Sequence, residues 1–486
     1  MSEHRPYPEI PASDFAFVSM EGRLHDKQLE TKPIGYFRDV LIRFSRNRSS
    51  VVAAVIIVVL VLYAILAPIL ARNSYTRSLT DTMYLNYAKL PPKYAPLAFL
   101  GLDGMRDVTL NSATYLTYRA IGEETGLDPI VDIYREDYKD PTASAKATFY
   151  DIRVDEYYRM GMMYLTLTPA EFEALQAWQD QTGVQVIYPA ITDAKQTDAN
   201  VWYKTDRKGV PSMDRQGNFQ PIYRTTTPED TAYRSLRVAG DMDREKPYAY
   251  ARVTGTSASR SYVTRVCRYT YFQYRYGMEP AFVFGTNALG QDIFTRLAAG
   301  ARLSLMLAIA ISIINLFIGA FYGAVEGYYG GAIDMFMERV SDILAGAPFI
   351  VVVTLFKLHL ANKVGAIPSL LFAFVLTGWI GIASNVRMQF YRFKGQEYIL
   401  AARSLGAKDG RLMFKHIFPN SLGTLITASV LIIPGVIFSE SMLSYLGIVN
   451  LDSSTMTSVG TMLANGQAYL STDPYIILFP ALFISL

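Results

Sequence analysis

Six apolar stretches along the chain predict membrane-spanning helices. The first, Val51 to Leu70, is a run of about 20 residues without a charge, and a helix of this length reaches about 30 Å, the thickness of the hydrocarbon core of a bilayer. A cleaved signal peptide is the alternative, but the run is too long and the polar segment before it far exceeds an ordinary leader. The other stretches cover residues 303–325, 343–360, 367–383, 422–442 and 475–486.

The last stretch begins near Tyr475 and is still apolar at Leu486, where the given sequence stops. At about 12 residues it is too short to cross a bilayer. It is therefore re-entrant, or it belongs to a span that continues beyond the given sequence, and we favour the second interpretation.

Basic residues predict the orientation of these spans. One group of arginines precedes the first span, and a second group of cations lies between the fourth and fifth spans. Both groups are expected in the cytoplasm, because cytoplasmic loops carry an excess of Lys and Arg. The loop from Gly327 to Ser341 also falls inside, although Asp334 and Glu338 outnumber Arg339 there. The two groups are Arg38, Arg43, Arg46 and Arg48, and then Arg387, Arg392, Lys394, Arg403, Lys408, Arg411 and Lys415.

The N-terminal tail, residues 1–48, is predicted to be cytoplasmic and to end in a helix that lies in the membrane interface. Apolar residues alternate with basic ones at helical spacing over residues 34–48, a pattern typical of interfacial helices. A disordered basic leader is the alternative interpretation. The first span and its flanks then occupy residues 49–72.

Residues 73–281 are predicted to form an extracellular α+β domain. The segment is long enough for a complete domain and contains Trp178, Trp202 and many of the chain's 34 tyrosines, whereas disordered linkers are poor in aromatics. Thr168 to Glu171 reads as a capping box, and the helix that follows has its stop signal at Gly183. Together with strands predicted at 162–167 and 184–188, this helix predicts a β-α-β element.

Two later stretches of this segment, residues 248–253 and 262–274, are rich in β-branched and aromatic residues and predict strands. Residues 214–217 read as a hairpin loop. We find no catalytic constellation here, because no histidine lies between His25 and His359 and no nucleophile elbow is present. The acid pair Asp151 and Asp155 is interpreted as solvated surface.

Composition and charge exclude several classes of function. The chain is 51% hydrophobic and 18% charged, as expected for a membrane protein with a sizeable water-soluble part. The net charge of +3 is too small to indicate nucleic-acid binding. The single cysteine, Cys267, excludes an intramolecular disulfide and a site built from several cysteines. The chain also lacks a Gly-x-x-x-x-Gly-Lys-Ser/Thr loop, so it does not bind nucleotide phosphates in the usual way.

The predicted cytoplasmic loop, residues 385–420, contains a short helix, a break and a second helix. Glu397 to Leu405 favours the first helix, Gly406 is suited to the left-handed conformation that ends it, and Asp409 is predicted to cap the second. Ala401 and Ala402 leave one patch of the first helix without bulk, with Arg403 and Lys408 at its edge. On these residues alone, an ordinary cytoplasmic helical hairpin is the favoured interpretation.

This segment resembles the EAA loop of ABC importer permeases, in which two alanines, a later glycine and an Ile-x-Pro-like element form the coupling helix that docks on the ATPase. The acidic residue that usually precedes the alanines is replaced by Leu400, whereas Glu397 matches the Glu-Tyr start of the peptide-transporter branch. The matching positions are Ala401, Ala402, Gly406, Ile417 and Pro419. The resemblance implies a coupling site made of Glu397, Ala401, Ala402, Arg403, Gly406, Ala407, Asp409 and Arg411.

Three further blocks, at residues 285–305, 327–348 and 444–463, resemble C-type permeases of oligopeptide and dipeptide transporters. The resemblance covers residues 34–72 and 282–486, and leaves the predicted outer domain outside it. It implies an α-helical multi-pass membrane protein with the type I ABC importer permease fold, six transmembrane helices and an inserted extracellular α+β domain. Residues 282–486 would carry helices two to six.

The same resemblance implies a non-catalytic permease subunit in the cell membrane that forms half of a pathway for oligopeptides or dipeptides. Its implied partners are a homologous B-type permease, two ABC ATPase subunits that bind ATP and magnesium, and an extracellular peptide-binding protein. No cofactor is expected in this chain itself. A nickel or other small-solute importer and a membrane-anchored receptor are the rival functions.

Three residues of the fifth predicted span are candidates for the pathway. Pro434 and Gly435 would loosen the helix, which suits a moving element, although a static kink is an equal alternative. Glu440 is an ionisable residue at membrane depth, and such residues usually serve transport. Exposure of Glu440 at the membrane interface is the alternative interpretation.

Overall fold

The computed structural model describes only part of the N-terminal region and most of the rest of the chain. The interfacial helix predicted for residues 34–48 lies outside the described residues except at its last four positions, 45–48. The chain divides into two compact units, Met1–Leu60 and Val61–Leu486. The described residues are 45–70, 82–139, 148–191, 196–207, 209–223, 233–235, 248–256, 259–453 and 456–486.

Helix α1 (Arg48–Leu70) contains the first predicted span, and its apolar residues explain both its length and its continuity. Helix α5 (Ile293–Tyr329) is longer than the span predicted at 303–325. It begins ten residues earlier because the carboxylate of Asp292 accepts hydrogen bonds from the N–H groups of Phe294 and Thr295 and caps the helix there.

The third predicted span, residues 343–360, is not one straight helix. Helix α6 (Gly331–Ala345) and helix α7 (Phe349–Val364) meet at a bend of 73°. The bend falls at Pro348, which disfavours helical backbone in the residue before it. The predicted inner loop 327–341 is itself helical, because α5 continues to Tyr329 and α6 begins at Gly331.

The remaining helices of the membrane region are also longer or more broken than predicted. Within the described residues, four helices are long and apolar enough to cross a membrane, or five if the bent pair forms one span, so the six-helix count is not confirmed. The apolar helix at the end of the sequence has 11 residues. The helices are α8 (Ala366–Gly378), α9 (Ile380–Phe393), α10 (Glu397–Ser404), α11 (Asp409–Arg411), α12 (Phe418–Val430), α13 (Ile432–Tyr445), α14 (Val459–Gly466) and α15 (Tyr475–Ser485).

Helices α5 and α9 pack closely along a ridge of glycines on α5. Gly319, Gly323 and Gly327 are spaced one helical turn apart and face the backbone of α9. A Cβ atom at Gly323 would lie 2.1 Å from the carbonyl oxygen of Ala383, closer than any real contact. Small residues at such spacing allow two membrane helices to bring their backbones together.

In its described residues, the segment between α1 and α5 folds as an α+β unit with two antiparallel sheets. The first sheet has the order β1-β3-β2, and α2 connects β1 to β2. The second has the order β4-β8-β7-β6, with β5 paired to β8. The elements are β1 (Met105–Asn111), α2 (Ser112–Thr125), β2 (Ile130–Tyr138), β3 (Phe149–Asp155), β4 (Met162–Leu167), α3 (Pro169–Thr182), β5 (Ile187–Tyr188), β6 (Tyr233–Ser235), β7 (Ala249–Thr254), β8 (Ser261–Cys267) and α4 (Arg268–Tyr276).

The predicted β-α-β element is present as β4, α3 and β5. The capping box of α3 is formed, since Thr168 and Glu171 exchange hydrogen bonds between side chain and backbone. The second strand is shorter than predicted and starts at Ile187. Strands β4 and β5 both pair antiparallel with β8, so they run parallel to each other.

The stretch predicted as a strand at 262–274 changes to helix after Cys267. Tyr269, Phe272 and Tyr276 recur at helical spacing on α4 and pack into one apolar cluster. Their periodicity of three to four residues therefore overrides the β-propensity of aromatic residues. The predicted hairpin at 214–217 is confirmed by antiparallel pairing of Met213 with Phe219.

The two ends of the α+β unit lie next to each other. The N–H of Lys93 donates to the carbonyl of Phe282 at 2.8 Å, and the N–H of Thr286 donates to the carbonyl of Leu90 at 2.9 Å. The unit also contacts the loop before α15, where Arg106 donates to Asp473 at 2.7 Å. These contacts join the α+β unit to the segments that precede α5 and α15.

Candidate functional site

The loop between α9 and α12 has the predicted arrangement of helix, break and helix. Helix α10 ends at Ser404, and Gly406 has the left-handed φ of +83° that the break requires. The N–H groups of Gly406 and Ala407 donate to the carbonyls of Arg403 and Ala402 at 2.9 and 3.1 Å. These bonds close the end of α10 and give the break a defined shape.

The sequence predicts that Asp409 caps the second helix, but this prediction is wrong. Lys408 occupies the cap position, and no side chain caps the helix there. The carboxylate of Asp409 instead accepts a hydrogen bond of 2.6 Å from the hydroxyl of Tyr328 on α5. Asp409 is therefore used to connect the loop to the membrane helix.

Tyr328 also binds the other side of the break. Its hydroxyl accepts a hydrogen bond of 3.1 Å from the guanidinium of Arg403. One tyrosine thus holds Arg403 and Asp409, which lie on either side of Gly406. Tyr328 lies in the family-like block 327–348, but its neighbours in sequence assign it no role, because only the tertiary fold brings it to the loop.

The inner face of the loop is packed against the ends of α5 and α9. The side chains of Ala402 and Ala407 are half-buried on this face. Their small size allows the break to lie close to the two helices. The fully buried residues of the same apolar cluster are Ala324, Val386, Phe390, Ile399, Leu412, Ile417 and Leu425.

The opposite face is an exposed apolar surface, which we call the knuckle and define as Leu400, Ala401, Leu405 and Gly406. Leu405 is 89% exposed and Leu400 is 49% exposed. A Cβ atom at Gly406 would meet no atom within 4 Å. Arg411 and Glu397 are exposed at either end of the loop.

The predicted coupling residues therefore divide between two faces. Ala401 and Gly406 lie on the knuckle, whereas Arg403 and Asp409 bind inward to Tyr328.

An unusual helical turn follows the loop. Residues 412–417 form a π-helix, which leads directly into α12. Pro419 lies just after this turn and has no N–H to donate to the carbonyl four residues earlier, which explains the local departure from α-helical bonding. The amide of Asn420 donates to the hydroxyl of Tyr398 at 3.0 Å, so the start of α12 is also tied to α10.

Ion pairs join α5, α6 and α9 next to Tyr328. The guanidinium of Arg387 donates to Asp334 at 2.9 Å and to Glu338 at 2.8 Å, and lies 3.7 Å from Glu326. Lys394 donates to the carbonyl of Gly327 at 2.9 Å. Asp334 and Glu338, the acidic residues that outnumber Arg339 in the predicted inner loop, are thus paired with a cation of α9.

Comparison with known proteins identifies the family. A model described as "Binding-protein-dependent transport system inner membrane component" matches residues 316–486, and one described as "N-terminal TM domain of oligopeptide transport permease C" matches residues 35–92. The oligopeptide transport system permease protein OppC of Salmonella typhimurium is 33% identical over 45% of this chain and 72% of its own length. The chain belongs to the OppC and DppC family of transport permeases.

Two relatives from Bacillus subtilis show the extent of the match. OppC is 41% identical over 41% of this permease and 64% of its own length, and the dipeptide permease DppC is 40% identical over 42% and 62%. The permease thus spans just under two thirds of the length of these relatives. Among solved structures, the inward-facing methionine transporter MetNI aligns over 39% of the permease and 88% of that chain, with 16% identity and a TM-score of 0.33.

Glu440 of the permease is buried within the chain, with 1% of its surface exposed. Its carboxylate accepts hydrogen bonds from Ser304 on α5 at 3.1 Å, from Ser444 at 3.0 Å and from Ser458, the N-cap of α14, at 2.7 Å. Both interpretations of the sequence placed this side chain at a surface. Here it holds three elements together instead.

Pro434 and Gly435 lie beside a break in the long helix of the permease. Helix α12 ends at Val430 and α13 begins at Ile432. The break falls where Pro434 cannot donate to the carbonyl of Val430, so the cause is local. Pro434 and Gly435 are both exposed, and a Cβ atom at Gly435 would meet no atom within 4 Å.

Proposed function

We propose that this permease forms half of the translocation pathway of an ATP-driven importer of oligopeptides or dipeptides. The names of its relatives support the substrate class, since they are oligopeptide and dipeptide transport permeases. The other half would be a homologous B-type permease, and an extracellular binding protein would deliver the peptide. In this arrangement the N-terminus is cytoplasmic and the α+β unit lies outside the cell.

We further propose that the knuckle docks on an ABC ATPase subunit, which binds ATP and magnesium. The observation that carries this proposal is the 89% exposure of Leu405 beside the open space at Gly406, on a loop whose other face is firmly packed. Exposed large apolar side chains held in a fixed geometry are typical of contact sites for another protein. The flanking Arg411 and Glu397 would add charge at the rim of the contact.

The packing of the loop gives a physical route for the work of ATP hydrolysis. A push on the knuckle acts on α10, whose residue Ile399 is buried against α5 and α9. It also acts through Arg403 and Asp409 on Tyr328, near the end of α5. Because α5 and α9 are in backbone contact at Gly323, we expect the two helices to move as one body.

The break beside Pro434 is our candidate for the element that responds to this movement. Pro434 and Gly435 are exposed on α13, so they are available to the pathway or to the homologous permease. Glu440 would act from within, since it ties α13 to α5 and to the N-cap of α14. We propose that it keeps these elements aligned when the pathway changes direction.

Substitution of Gly406 tests the docking proposal. Gly406→Asn keeps the left-handed backbone accessible, because Asn tolerates it best after Gly, while adding a side chain to the knuckle. Gly410→Asn is the matched control, since Gly410 lies in the same loop with open space around it and without a positive φ. Both variants are assembled with the two ATPase subunits, the homologous permease and the binding protein, and reconstituted in vesicles.

We expect Gly406→Asn to lower peptide uptake per ATP hydrolysed several-fold, with unchanged insertion in the membrane. Gly410→Asn should retain the ratio of the unmodified permease. Equal uptake by the two variants would contradict docking at the knuckle. Purification of a transport-active assembly that contains no ATPase subunit would contradict the proposed function itself.

A further inference from the structure

An uncharged turn of the α+β unit presents apolar side chains at its tip. Residues 94–102 contain no charged residue, and the tip is a short 3₁₀-helix, Ala95–Leu100. Phe99 is 80% exposed and Leu100 is 63% exposed. We call residues 94–102 the apolar turn.

The apolar turn has a defined structure rather than an arbitrary one. The N–H of Tyr94 donates to the carbonyl of Leu102 at 2.8 Å. The backbones of Lys93 and Asp103 form an isolated antiparallel β-bridge. Gly101 has a φ of +85°, and its N–H donates to the carbonyl of Ala98 at 3.0 Å. The tip therefore holds Phe99 and Leu100 out, although a water-soluble domain would normally bury them.

The position of the apolar turn indicates what covers it. Leu100 lines a surface groove of about 430 Å³ together with Leu478 and Phe479 of the apolar helix α15. Leu478 and Leu482 on the same helix are each 49% exposed. The exposed apolar surface of α15 thus continues onto the turn through this groove, whose one charged lining residue, Arg106, is paired with Asp473.

The charged residues near the turn lie at its base. Lys93 pairs with Asp155 at 3.5 Å, and Arg106 pairs with Asp473 at 2.7 Å. This separation of an apolar tip from a polar base is typical of segments that enter the membrane interface from one side.

We propose that the apolar turn inserts its tip into the outer leaflet, where Phe99 and Leu100 contact lipid acyl chains. The α+β unit would then be supported on the membrane at one further point besides its two chain connections. The inference rests on the proposed extracellular placement of the unit. Lipid is the occupant we commit to because the turn continues the apolar surface of α15.

Spin labels on the full-length permease test this inference. Phe99→Cys is made in a Cys267→Ala background, labelled with a nitroxide and reconstituted in vesicles of phosphatidylcholine and phosphatidylglycerol. Leu100→Cys serves as a second site if the first variant does not fold. Val210→Cys is the matched control, because Val210 is an exposed apolar residue elsewhere in the same unit.

We expect the label at position 99 to collide several-fold more often with lipid-soluble oxygen than with a water-soluble nickel complex, and the label at 210 to show the reverse. Equal access of the nickel complex at 99 and 210 would overturn the inference. Exclusion of both probes at 99 would also overturn it, because a protein surface would then cover the turn.

A separate measurement distinguishes failure of the inference from failure of the proposed placement. An impermeant maleimide is added to intact cells that carry the Val210→Cys variant. Labelling from outside supports the extracellular placement, whatever the result at position 99. Absence of labelling in intact cells, together with labelling in lysed cells, would overturn the placement and the inference that rests on it.

Discussion

The helix pair α5 and α9 and the α+β unit of the same chain are held together by opposite means. The helix pair uses glycines, so that the backbones touch at Gly323. The α+β unit uses large buried aromatic rings and a buried ion pair between Arg265 and Glu124. Its fully buried aromatic side chains include Tyr157, Tyr203, Tyr250, Phe172 and Phe272.

The difference follows from the solvent around each region. Lipid gives helices no hydrophobic reason to associate, so close packing through small residues must stabilise the pair. Water drives large apolar side chains into a core, and an aromatic side chain removes the most area from water. One chain can therefore follow two packing rules, and changes that suit one region should damage the other.

The largest expected effect comes from removing one partner of the buried ion pair. Arg265 is fully buried, and its guanidinium donates to both oxygens of Glu124, as well as to the carbonyl of Ala199. Glu124→Gln leaves this charge without its counter-ion, which should cost about 3–5 kcal/mol of stability. Denaturant unfolding of the purified permease, followed by the fluorescence of Trp178 and Trp202, measures the loss.

The neighbouring glutamate provides the control for this prediction. Glu123 forms a half-exposed ion pair with Arg119 on the same helix, with 38% of each side chain exposed. Glu123→Gln should change the stability by about 0–1 kcal/mol, because exposed pairs contribute little. Similar losses in the two variants would show that burial of the pair is not what matters.

An added methyl group tests the packing of the helix pair. Gly323→Ala would place a Cβ atom 2.1 Å from the carbonyl oxygen of Ala383, so α5 and α9 must move apart. We expect a loss of about 1–3 kcal/mol, seen as a lower temperature of thermal unfolding in detergent.

Gly435→Ala makes the same chemical change at a position of a membrane helix where the added Cβ atom would meet no atom within 4 Å. It should be neutral or stabilise the protein by up to about 1 kcal/mol, because alanine favours helix more than glycine does. A glycine effect that is equal at both positions would argue against backbone contact as the cause.

The smallest effect on stability is expected where the membrane helices use a polar contact. Tyr328→Phe removes the hydroxyl that joins Arg403 and Asp409, with an expected cost of about 1 kcal/mol or slightly more. Its effect on coupling should be greater, since both hydrogen bonds between the loop and α5 would be lost. Peptide uptake per ATP hydrolysed is the measurement.

Tyr329→Phe is the control for the coupling measurement. Tyr329 is the adjacent residue, it is 50% exposed, and its hydroxyl makes no hydrogen bond within the part of the chain that the structure describes. The ratio of uptake to hydrolysis should stay unchanged in this variant. A fall in both variants would indicate a general sensitivity of the helix end rather than a role of the Tyr328 hydroxyl.

Features set by neighbouring residues could be predicted from the sequence. The apolar run of α1, the capping box at Thr168 and the left-handed break at Gly406 each depend on a few adjacent positions. Their local physics is sufficient to determine the structure. The same holds for the turn between Met213 and Phe219.

Features set by distant residues could not be predicted. Aspartate is a residue type that often caps helices. The carboxylate of Asp409, however, accepts a hydrogen bond from Tyr328, which lies 81 positions away. Glu440 is indistinguishable in sequence from a pathway residue until Ser304 and Ser458, from two other segments, donate to its carboxylate. A continuous apolar run does not reveal a bend, so the run at 343–360 predicts one span although the chain bends at Pro348.

The hydrogen bonds that join Leu90 and Lys93 to Thr286 and Phe282 have a consequence for the length of the segment between them. The chain leaves the permease and returns to it at almost the same point, so a large domain can occupy this place without stretching the helices on either side. The first family model stops matching at residue 92, and the second starts at residue 316. The length of this segment can therefore change while the helices on either side keep their positions.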